Sequence, residues 1–170
     1  MLAPLGMVIW LSARINRMSA TKARNLFSVY GAIMGLSLAS ILLVYTGASV
    51  ARAFFITAGA FAGLSLYGYS TKRSLSAMGS FMIIGLFGLI IASIVNIFMA
   101  STQMEFVISV GGVLIFAGLT AWDTQRIKSM YMAGDSREVA AKKSIFGALT
   151  LYLDFINMFL FILRLFGNRE

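Results

Sequence analysis

From residue 26 to residue 166 the sequence is a succession of long apolar runs, at about 26–46, 50–70, 77–99, 104–122 and 144–166, separated by short polar connections. At about 1.5 Å of rise per residue, a helical run of some 20 residues matches the roughly 30 Å hydrocarbon thickness of a bilayer. A helix pairs its own backbone N–H and C=O groups, as a segment in lipid must. A sixth run, "LAPLGMVIWLSA" at about 2–13, is too short to span alone and lacks the basic start and cleavage site of a signal peptide. It reads as the second half of a helix whose beginning is missing, or as a helix that spans with help from its neighbours. The expected fold is all-α: a single polytopic transmembrane helical bundle over residues 1–170, built from six segments of which the first is short.

Composition agrees. Of the 170 residues 59% are hydrophobic and 12% charged, against about 25% charged in soluble domains, so the lipid bilayer is the expected surrounding. The chain has no cysteine and no histidine. That removes disulfides, thiolate and imidazole metal sites, cysteine nucleophiles and histidine-based triads, and leaves carboxylates or the amino terminus as switches near neutral pH. No nucleotide motif or cofactor motif is visible, and neither an enzyme nor a cofactor is expected. The net charge of +8 sits in connections between apolar runs rather than on one polar face, which argues against nucleic acid.

Lys and Arg mark cytoplasmic connections. Arg14, Arg17, Lys22 and Arg24 fall in the first, Lys72 and Arg73 in the third, and Arg126, Lys128, Arg137, Lys142 and Lys143 in the fifth, whereas the second has Arg52 and the fourth Glu105. The first, third and fifth are therefore expected inside. By parity the C-terminus lies outside, although Arg164 and Arg169 flank the last run there. Either that run spans and tolerates both charges, or it re-enters and returns. The Gly-x-x-x-Gly pairs Gly31/Gly35 and Gly59/Gly63 have the spacing that lets helix backbones approach, and are expected to pack the bundle.

Of six acidic residues, Glu105, Asp135, Glu138 and Glu170 fall in expected loops or at the terminus, and two fall in apolar surroundings: Asp123 in "AWDTQRIK" and Asp154 in "LYLDFIN". A carboxylate at mid-membrane costs roughly 2.5–3.5 kcal/mol on insertion scales. If the fifth segment stays helical to about Met132, Asp123 lies roughly 14 Å from its cytoplasmic end. If the sixth begins near Ser144, Asp154 lies roughly 15 Å in from the same side. Two carboxylates facing each other at one depth cannot both ionise cheaply, so they share a proton and titrate as a unit. The alternative is separate satisfaction, of Asp154 by Asn157 and of Asp123 by Arg126. An intramembrane aspartyl protease would also use two aspartates, but the Gly-x-Gly-Asp surroundings of such a site are missing.

At these stretches the chain resembles the Bax inhibitor-1 family, also called YccA-like or the transmembrane Bax inhibitor motif family. "AWDTQRIK" at 121–128 is similar to its Tyr-Asp-Thr-Gln pattern, with Trp122 in place of the usual Tyr, and "LYLDFINMFLFILRLFG" at 151–167 is similar to its last helix. The resemblance implies a seven-helix fold with the last helix surrounded by the others, here without the first. It also implies a pH-sensitive calcium leak channel in which Asp123 and Asp154 form the proton-sensing pair and give calcium weak, transient coordination. An arginine latch would come from Arg14 or Arg17, with Asn157 and Arg126 as supporting polar groups. A second implied function is a membrane-embedded regulator of the FtsH membrane protease. A bacterial inner membrane is the expected location.

Overall fold

The computed structural model describes residues 10–11 and 13–169. Five long helices follow one another: α1 (Ala20–Leu42), α2 (Gly47–Ser70), α3 (Ser76–Met99), α4 (Thr102–Met130) and α5 (Arg137–Phe166). All five are long and apolar enough to cross a membrane, and no strand occurs among the described residues. Among the described residues the count is therefore five, against the six segments expected. The segment expected over 2–13 lies largely outside the described residues; its end is helical at Trp10–Leu11 and leads into a 3₁₀ turn, Ile15–Arg17.

The helices are longer than the apolar runs. Ser19 starts α1 six residues ahead of its run and Ser136 starts α5 seven residues ahead, each side-chain oxygen accepting the backbone N–H three residues on. Thr46 and Ser101 cap α2 and α4 in the same way. Hydropathy reports only the part of a helix inside hydrocarbon, whereas capping decides where the helix begins. The basic residues of the fifth connection consequently lie on helix: Arg126 and Lys128 in the last turns of α4, and Arg137, Lys142 and Lys143 in the first turns of α5.

Successive helices alternate in direction, so the basic ends of α1, α4 and α5 and the basic α2–α3 connection gather on one side, the one expected to be cytoplasmic. α5 is continuous to Phe166 and does not turn back. The residues beyond it are tied to the opposite side. Thr46 N–H donates to the Asn168 carbonyl at 3.1 Å, Asn168 N–H donates to Ser49 Oγ at 3.0 Å, and the Arg169 guanidinium is 3.3 Å from Glu105. Pairing of Arg169, and the position of Arg164 over the Phe161 ring at 5.6 Å, explain how this end accommodates its charges.

α5 packs against α4, α2 and α1, and α3 packs on the outside of α4. Gly79 is the only buried residue of α3, and side chains such as Phe81, Ile84, Phe87, Ile91 and Phe98 point away from the protein, where lipid receives them at no penalty. The expected glycine contacts are not the ones formed. Among the described residues, a methyl group at Gly31, Gly35, Gly59 or Gly63 would meet nothing within 4 Å. The close approaches are at Gly68 against the Ala121 backbone, Gly79 under the Trp122 ring, Gly112 under the Phe161 ring and Gly147 against Ile127. Spacing within one helix does not say which face meets a neighbour.

Candidate functional site

The α4–α5 hairpin sets the register of the site. Lys143 Nζ donates to the Met130 carbonyl at 2.6 Å, a Cβ at Gly147 would sit 2.9 Å from Ile127 Cγ2, and one at Gly112 would lie 2.6 Å from the Phe161 ring. Asp123 is therefore level with about residue 151, roughly one turn closer to the cytoplasm than Asp154. Every Cα–Cβ bond leans toward its own helix N-terminus. In this antiparallel pair Asp123 leans deeper and Asp154 leans back, and the two carboxyl groups come within hydrogen-bonding reach of each other.

Both are buried, Asp123 at 6% and Asp154 at 4% exposure. Asp154 is eleven residues beyond Lys143 and ten before Arg164, hence about 16 Å and 15 Å from the charges bounding its apolar stretch, which is the middle of the bilayer. The helix beginning at Arg137 puts Asp154 about 26 Å from its end, not 15 Å. Depth is set by the hydrocarbon boundary near Lys143 rather than by the helix start.

Around the pair, Arg126 Nη1 is 3.8 Å from Asp123 Oδ1, at the outer limit of an ion pair, and its guanidinium lies over the rings of Trp122 (5.5 Å) and Phe146 (5.8 Å). Asn157 does not serve Asp154, because its Nδ2 donates at 2.8 Å to the Leu153 carbonyl of its own helix. Asp154 Oδ2 is buried with no hydrogen-bond partner among the described residues. Arg14 and Arg17 make no ion pair with either aspartate; both are exposed, and Arg14 lies over Trp10 at 5.7 Å. No cluster of three or more His, Cys, Asp or Glu side chains occurs among the described residues, so protein carboxylates supply at most part of the six to eight oxygens that calcium takes.

Two participants were not legible in the sequence. Gln125, two residues after Asp123, accepts from Leu75 N–H and donates to the Arg73 carbonyl, both at 2.8 Å. It thereby anchors the start of α3, which has no side-chain cap of its own. Tyr30 of α1 is fully buried with its hydroxyl unpartnered among the described residues, and its ring meets Tyr152 of α5 edge-on at 6.1 Å. A tyrosine in an apolar run carries no signal that its hydroxyl will be buried.

Five apolar helices, with basic residues collected on one side and two buried carboxyl groups within reach of each other, define a polytopic α-helical membrane protein. Comparison with known proteins gives the family. Over residues 1–170 the chain matches the family described as "Inhibitor of apoptosis-promoting Bax1". It is 52% identical over 170 residues to protein RP147 of Rickettsia prowazekii, covering 100% of this chain and 72% of that one. It is 49% identical over 171 residues to the inner membrane protein YbhL of Escherichia coli, covering 99% of this chain and 73% of the relative. The chain belongs to the Bax inhibitor-1 family.

Proposed function

We propose that this membrane protein passes cations, chiefly calcium, along a leak pathway gated by protonation of the Asp123–Asp154 pair. The observation that carries this reading is the burial of two carboxyl groups within hydrogen-bonding reach of each other, with Asp154 Oδ2 left without a hydrogen-bond partner among the described residues. With one proton shared, the pair carries a single charge and holds α4 and α5 together. Loss of that proton leaves two like charges in contact. At 4 Å and an effective dielectric of about 20 they repel by about 4 kcal/mol, enough to raise a state populated at about 1% to a majority.

Relief comes from separating the helices, from Arg126 swinging fully onto Asp123, or from a cation entering between the carboxylates. The last coincides with permeation. Coordination by two carboxylates with water completing the shell is weak, which suits passage rather than storage. In this reading the arrangement with both carboxyls buried is the closed state. Arg126, already 3.8 Å from Asp123, takes the place of Arg14 or Arg17 as the latch.

The test is calcium flux into proteoliposomes against pH for the parent chain, Asp154→Asn and Asp123→Asn. Flux should rise as pH is raised through the titration of the pair, and either substitution should flatten that dependence. An unchanged pH profile in both variants would sink the gate. Absence of flux in folded parent protein would move the reading to a regulator of a partner such as a membrane protease.

A further inference from the structure

A second charged site lies at the cytoplasmic end, apart from the carboxyl pair. A crevice of about 360 Å³ opens between the residues after the N-terminal helical turn, the end of α4 and the first turns of α5, and its lining includes Ile15, Asn16, Arg126, Lys142, Lys143 and Phe146. Three cations thus line a cavity with an apolar floor. Two are partly neutralised from outside, Lys142 by Glu138 at 3.5 Å and Lys143 by Asp135 at 2.7 Å. Among the described residues the ion-pair partner of Arg126 is Asp123, at 3.8 Å, and its side chain is 47% exposed.

The depth of the crevice fits one class of ligand. Ser144 to Leu163 is a stretch of twenty residues free of basic side chains, about 30 Å of helix, so Lys142 and Lys143 stand where hydrocarbon gives way to headgroups. The cytoplasmic side as a whole is basic, with Lys22 and Arg24 on α1 and Lys72 and Arg73 before α3. Cytoplasmic basic pockets between membrane helices suit anionic phosphate headgroups, while Phe146 and Ile15 give the glycerol and first methylenes an apolar wall.

We infer that this crevice binds the phosphate headgroup of an anionic phospholipid of the cytoplasmic leaflet, using Arg126, Lys142 and Lys143. The phosphate competes with Asp123 for Arg126, so lipid composition acts on the polar surroundings of the buried pair. Binding itself does not require that the protein conduct ions.

The experiment is native mass spectrometry of the full chain released from liposomes of equal phosphatidylglycerol and phosphatidylcholine. It uses the parent, Lys142→Gln, Arg126→Gln and, as a control of equal charge, Lys128→Gln, whose Nζ is bound to the Tyr69 carbonyl on another face. The parent should retain phosphatidylglycerol over phosphatidylcholine. Lys142→Gln and Arg126→Gln should each lower that retention about fivefold, corresponding to about 1 kcal/mol per basic residue at an anionic surface, and Lys128→Gln should not. Equal retention of the two lipids, or an equal loss in Lys128→Gln, would overturn the assignment. So would full displacement of the lipid by millimolar inorganic phosphate, which would make the crevice a site for the free anion. A circular dichroism spectrum matching the parent is required of each variant, and Lys142→Arg should restore retention.

Discussion

Replacing Gly68 with alanine should destabilise the bundle, whereas the same change at Gly63, on the same helix, should not. Gly68 of α2 lies directly on the α4 backbone. A Cβ there would be 3.0 Å from Ala121 Cα and 2.9 Å from its carbonyl carbon, with the carbonyl oxygen nearer still. Carbon contacts settle at about 3.5–4.0 Å, and a backbone cannot swing aside as a side chain can. The end of α2 must therefore retreat by on the order of 1 Å, at the cost of about 1–3 kcal/mol typical of overpacking. Alanine recovers about 0.5–1 kcal/mol of helix preference over glycine, leaving a net loss of about 1–2 kcal/mol. At about 2–4 °C per kcal/mol for a chain of this size, Gly68→Ala should lower Tm by about 2–8 °C. At Gly63 a Cβ meets nothing within 4 Å among the described residues, so only the helix preference remains and Tm should hold or rise slightly. The assay is thermal unfolding of both variants in one detergent, followed by tryptophan fluorescence. Equal shifts in the two would refute the assigned α2–α4 approach.

Asp135, in the connection between α4 and α5, is held below the usual carboxylate range by its hydrogen bond from Lys143 and by the Met132 N–H. Its contribution is complete above the unfolded value of about 3.9 and is lost as pH falls through the lower native value. Hydrogen exchange at the Met132 amide should accordingly be slower in the parent than in Asp135→Asn at pH 6, with the two converging under strong acid; convergence already at pH 6 would contradict the ion pair. Gln125→Ala removes both bonds to the α2–α3 connection and should speed exchange at Leu75 at least severalfold without altering that at Met104, which Ser101 caps. Arg169→Gln breaks a contact whose side chains are 59% and 42% exposed, so the stability change should stay below about 1 kcal/mol, and a larger loss by thermal unfolding would show that this tie carries more than its exposure suggests.

Membrane crossing, helical class and the presence of two carboxylates within apolar segments were all determined by the sequence itself. Each depends on a property summed along one helix, the transfer energy over some 20 residues. The reach of the helices beyond the hydrocarbon depended on Ser19 and Ser136, single capping residues that hydropathy ignores.

What required the tertiary structure is everything that depends on a second helix. Glycine spacing singled out Gly31, Gly35, Gly59 and Gly63, yet among the described residues the close approaches are at Gly68, against the Ala121 backbone, and at Gly79, Gly112 and Gly147, against the side chains of Trp122, Phe161 and Ile127, because close approach depends on what the neighbour presents at the same depth. Asn157 and Arg126 were equivalent candidates by spacing. Asn157 turned to the Leu153 carbonyl and Arg126 toward Asp123, each within its own helix, a choice between rotamers that spacing alone does not make. The two aspartates lie on helices whose starts place them at different distances from their ends. They meet because antiparallel packing makes their Cβ vectors converge, a relation between chains of atoms that no single stretch of sequence contains.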